Sequence, residues 1–113
     1  MRVKSIHSIK GGTEAQFQSA VIKLAHDYRW RVMHCHDCKR VPKSAIGYPD
    51  LTLHPPARLR HKGVLYRELK TVIGRATIEQ AQWGEYLLSM GHDWTIWTPD
   101  DWTEIRHTLS GET

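Results

Sequence analysis

The sequence predicts an α/β fold in which one sheet carries helices on its faces, with elements in the order α-β-β-β-α-β-α. Two segments place apolar residues at helical spacing behind capping boxes, Thr13 with Gln16 and Thr77 with Gln80. Four short runs of β-branched, aromatic or alternating residues lie between and after them. The second and third runs are joined tightly enough to be antiparallel. The second helix can then carry the chain to a strand beside an earlier one.

Taken in order, residues 1–12 read as a basic arm ending in Gly11 and Gly12. The first helix is predicted over 14–29, with Phe17, Val21, Leu24 and Tyr28 on one side, joined by Ala20 and Ala25. Residues 30–36 (WRVMHCH) form a strand, and 37–47, polar, basic and broken by Pro42, a loop. In 48–53 (YPDLTL), Leu51 and Leu53 alternate with Asp50 and Thr52. Residues 54–63, with Pro55, Pro56 and Gly63 as turn formers, are a hairpin connection. The strand 64–71 puts Leu65 and Leu69 on one face and Tyr66, Glu68 and Lys70 on the other. A turn at Gly74 and Arg75 leads to a helix over 78–90 that stops at Gly91. Residues 94–98 (WTIWT) form the last strand, and a short helix over 101–109 follows Pro99.

With 113 residues, 40% hydrophobic and 25% charged, the chain is expected to fold as a single domain with its own core. No apolar run approaches the roughly 20 residues of a membrane span, so no membrane partner is expected. The opening MRVKSIHSIKGG lacks the apolar stretch of a secretory signal, which points to the cytoplasm, of a bacterial cell or a phage-infected host. Sixteen Lys and Arg against twelve Asp and Glu give a net charge of +4, which favours a polyanion such as nucleic acid.

The chemistry concentrates on the second and third strands. Asp50 opens one, and Glu68 and Lys70 close the next. In an antiparallel pair these positions are neighbours on one face. Two carboxylates suit a hard divalent cation such as Mg2+, which keeps several waters and steadies charge on a phosphate. A lysine beside them can orient a water and neutralise developing charge. The same three residues could equally form a surface ion pair across two strands.

Gly47-Tyr48-Pro49-Asp50, followed eighteen residues after the Asp by Glu68-Leu69-Lys70, resembles the PD-(D/E)xK nuclease superfamily. Glu14 at the first helix, Thr77 to Trp83 at the second, and Ile96-Trp97-Thr98-Pro99 narrow the resemblance to its VRR-Nuc branch, over residues 13–109. The resemblance implies a restriction-endonuclease-like αβββαβ core with a mixed four-stranded sheet, here with an added C-terminal helix. It implies a Mg2+- or Mn2+-dependent DNA endonuclease, structure-selective for branched or junction DNA in replication, repair or recombination. Asp50, Glu68 and the main-chain carbonyl of Leu69 would hold the metal, and Lys70 would be the catalytic lysine. Glu14 would act through a water or on a second metal, and Gln80 would complete the site. Each has a plainer reading. An acid such as Glu14 is favoured in any first helical turn, and Gln80 is already the capping partner of Thr77.

Three basic segments accompany the site in sequence: the arm with Arg2, Lys4 and Lys10, the loop with Lys39, Arg40 and Lys43, and the hairpin with Arg58, Arg60 and Lys62. With Arg75, the loop and hairpin cations are candidate phosphate contacts. No segment reads as a base-reading helix. Cys35 and Cys38, with His34, His36 and Asp37, could contribute to a zinc site, but no second ligand pair is present. The family resemblance also suggests a homodimer, with Trp83, Trp94, Trp97 or Trp102 as interface candidates. A non-catalytic nucleic-acid-binding or zinc-stabilised adaptor is the alternative from another class.

Overall fold

The computed structural model describes residues 12–34, 45–71 and 75–112. The arm, the loop with Lys39, Arg40 and Lys43, and the Cys35–Cys38 cluster lie outside them. Helix α1 (Glu14–Asp27) begins behind the Thr13–Gln16 capping box. It ends two residues earlier than its periodicity predicts. Tyr28 caps it and Arg29 turns left-handed at φ 73°, which reverses the chain into β1 (Arg31–His34). β2 (Leu51–His54) and β3 (Leu65–Leu69) follow, then α2 (Ile78–Ser89), β4 (Asp93–Trp97) and α3 (Trp102–Ser110).

The strands form one mixed sheet in the order β1-β2-β3-β4. β1 and β3 run antiparallel to β2, and β4 runs parallel to β3 after the crossover through α2. Instead of a simple hairpin tip, residues Ala57–Lys62 between β2 and β3 form a 3₁₀ turn anchored by buried Leu59. Among the described residues no helix is long and apolar enough to cross a membrane.

One sheet face presents Leu51, Leu53, Leu65, Leu69 and Trp97 to Phe17, Val21 and Ala25 of α1 and to Ile105 and Leu109 of α3. The indole of Trp30 ties the two helices by donating to the Leu109 carbonyl at 2.8 Å. Arg67 shares this face. Its guanidinium is buried, lies 4.7 Å from the centre of the Trp97 ring and pairs with Asp93 at 3.0 Å. The other face carries Tyr66, Glu68 and Trp94 beneath α2, as the alternation in 64–71 predicts. α2 sits so close that a Cβ on Gly84 would lie 2.6 Å from the Trp94 ring.

This packing removes Trp97 from the expected interface. Trp97 is core, and Trp102 packs against the core. Trp94 is half-buried under α2. Trp83, on α2, is likewise half-buried, against Tyr48 and Tyr86.

Candidate active site

Four chain ends meet at one edge of the α2 face: the start of β2, the end of β3, and the first turns of α1 and α2. Asp50, just before β2, accepts the Leu69 N–H on Oδ2 at 2.8 Å. The β2–β3 pairing ends at Leu51 and Arg67, so a side chain here takes over the ladder. The Leu69 carbonyl points to the same side as its N–H, toward Asp50. Glu68 is buried, and its Oε2 accepts from Gln80 Nε2 at 2.6 Å and lies 3.8 Å from Lys70 Nζ. Lys70 is held at its backbone by the Trp97 carbonyl at 3.0 Å.

Gln80 does both things its position allowed. Its Oε1 accepts the Thr77 N–H at 2.8 Å, closing the capping box, and that bond aims Nε2 at Glu68. Glu14 stands at the first turn of α1, near enough that Lys70 pulls its pKa down and Asp50 pushes it up. Partial burial is the larger influence and raises it. The five predicted residues Glu14, Asp50, Glu68, Lys70 and Gln80 therefore converge.

The loop that delivers Asp50 is seated on α2. Gly47 has φ +90°, and a Cβ there would lie 2.5 Å from the Glu79 backbone. Tyr48 meets the Trp83 ring edge-on at 4.9 Å. Replacing Gly47 by alanine adds left-handed strain and a backbone clash together. The expected cost is about 2 kcal/mol, on the order of 10 °C in Tm by thermal melting.

Burial raises the Glu68 pKa to about 8, with the Asp50 carboxylate adding to the rise and Lys70 opposing it. In metal-free protein the folded state keeps a proton that the unfolded chain releases from about pH 4.5 upward. Stability on this account is greatest below that pH, falls through the window up to about 8, and carries the whole penalty above it. Glu68→Gln mimics the protonated acid. In EDTA at pH 9 it is expected to melt several degrees above wild type, with the difference vanishing near pH 4.

A divalent cation would favour the ionised form of Glu68 that burial opposes. Glu68 Oε1 is buried with no hydrogen-bond donor facing it. The donors at hand are two carboxylates and a main-chain carbonyl, all oxygen, which suits Mg2+ or Mn2+ with waters completing the shell. Among the described residues no group of three or more His, Cys, Asp or Glu is placed to hold a metal. The fit is thus to a cation that takes one or two carboxylates rather than to a closed protein cage.

No family model, curated protein or solved structure matches the chain. Its function rests on the site itself.

The candidate phosphate contacts divide. Arg75 is exposed and lies just ahead of α2, near its first turn. Arg58, Arg60 and Lys62 do not surround the site. They lie in the β2–β3 connection, at the far end of both strands from Asp50 and Lys70, a strand length of roughly 15 Å. Arg58 is also committed to structure, donating to the Ser110 carbonyl at 3.1 Å and the Tyr28 carbonyl at 3.2 Å. The reversal was readable in principle, because a turn joining two strands lies opposite their outer ends.

Proposed function

We propose that the chain is a Mg2+- or Mn2+-dependent DNA endonuclease of the VRR-Nuc branch of the PD-(D/E)xK superfamily, on a restriction-endonuclease-like αβββαβ core. The observation that carries this reading is the convergence of Asp50 and Glu68 with Lys70, whose Nζ lies 3.8 Å from Glu68 Oε2. A surface ion pair between strands would leave these groups in water. Here the glutamate is fully buried, and a neighbouring glutamine orients it.

Asp50, Glu68 and the Leu69 carbonyl would hold the cation, with Glu14 acting through a water or at a second ion. The bound cation supplies Lewis-acid stabilisation of charge on the phosphate and lowers the pKa of water. Lys70 positions the attacking water and neutralises charge on the phosphate oxygens. Gln80 fixes the oxygen of Glu68 so that the acid pair keeps its geometry, and the Leu69 N–H does the same for Asp50. A homodimer would put two such sites on one branched DNA molecule.

Cleavage of labelled duplex, flap, four-way-junction and single-stranded DNA, and of RNA, in Mn2+, Mg2+ or EDTA tests the reading. Cutting of DNA only with a divalent cation is expected. Binding without cutting in any condition identifies a nucleic-acid-binding module instead.

A further inference from the structure

We infer that Tyr48, Trp83 and Tyr86 form a stacking platform for unpaired nucleobases beside the scissile phosphate, so that the substrate class is nucleic acid with a single-stranded segment. This rests on the nuclease reading above.

The three rings make a continuous row. Tyr48 meets Trp83 at 4.9 Å and 82°, and Trp83 meets Tyr86 at 6.0 Å and 87°. The row starts at the site, since Tyr48 is two residues from Asp50 and Trp83 is one helical turn beyond Gln80. It is also held rigidly, because Gly47 fixes the Tyr48 loop against the α2 backbone. Yet Tyr48 is 42% exposed and Tyr86 55% exposed. An edge-to-face contact leaves ring surface uncovered, and a base gains most by stacking there.

Charge identifies what this row can take. The charged residues of α2 are Glu79 and Glu85, and the helix carries no Lys or Arg. Phosphates gain nothing along it. Uncharged bases do, with the backbone turned outward and the scissile phosphate directed to Lys70. A duplex, whose bases are already stacked on each other, has no free base faces to offer. Discrimination between single strand and duplex follows without any base-specific hydrogen bond.

The test measures affinity for a fluorescent oligo(dT) and for a duplex of equal length, in EDTA so that hydrolysis plays no part. Trp83→Leu and Tyr86→Ala are each expected to weaken oligo(dT) binding about tenfold and duplex binding less than twofold. The slope of log affinity against log salt should stay unchanged, because no phosphate contact is lost. Trp83→Phe, which keeps a ring, should restore most of the oligo(dT) affinity. Equal losses on both substrates, or no loss on oligo(dT) from Tyr86→Ala in a protein with wild-type Tm, overturns the platform. Failure of wild type to cut any nucleic acid with Mn2+ overturns the nuclease reading instead, and the two failures are read in separate assays.

Discussion

Lys70→Ala is expected to lower cleavage by a factor on the order of 10²–10⁴ while leaving cation binding in place. The ammonium lies 3.8 Å from the Glu68 oxygen and competes for it with any cation held there. Removing it therefore leaves Mn2+ affinity unchanged or tightens it. Calorimetric titration with Mn2+ and single-turnover cleavage on the same preparation separate the two effects. Lys70→Met, which keeps most of the packed stem, should behave alike and guards against a simple loss of stability. Parallel loss of Mn2+ binding and cleavage in both variants would make Lys70 a structural residue.

Asp50→Asn is expected to have the largest effect on cation binding. An asparagine oxygen can still accept the Leu69 N–H now taken by Oδ2 at 2.8 Å, and the substitution removes the carboxylate charge that opposes ionisation of Glu68. The fold should therefore hold, with a Tm in EDTA equal to or above that of wild type. The ligand charge is gone, so Mn2+ affinity should fall at least about tenfold and cleavage by about 10²–10³. Asp50→Ala differs in kind. It leaves the Leu69 N–H without its acceptor and should lose a further 1–2 kcal/mol, approximately, of stability. Comparing the two variants by thermal melting separates the role of Asp50 in the strand ladder from its role at the cation.

Much of the geometry of this site is legible in the sequence. Capping boxes at Thr13 and Thr77 placed both helix starts, and with them Glu14 and Gln80. Period-two alternation placed Glu68 on the face opposite Leu65 and Leu69. The depth of Glu68 was not legible, because it depends on how closely α2 approaches, and that is set by Gly84 against Trp94. Arg67 was hidden for a similar reason. A charged residue between two leucines on a core face reads as an error in pattern until Asp93 and Trp97 are seen to receive it. The Tyr48–Trp83 contact joins a loop to a helix 35 residues on, and no periodicity relates the two.

The burial of Arg67 has its own consequence for the sheet. Desolvation lowers its pKa, while Asp93 and Glu104 oppose that shift. The guanidinium links β3 to the start of β4 through the Asp93 carbonyl at 2.8 Å. It thereby fixes the parallel register that brings Trp97 level with Leu69 and its carbonyl within reach of the Lys70 N–H.

The buried acid pair is proposed to act through a divalent cation to hydrolyse a phosphodiester. A single-turnover time course of wild type on an end-labelled oligonucleotide tests it most directly, started in Mn2+, chelated with EDTA midway, then resupplied with Mn2+. Product is expected to accumulate, stop and resume. Cleavage that continues through the EDTA interval, or no product from folded protein bound to the oligonucleotide, would contradict it.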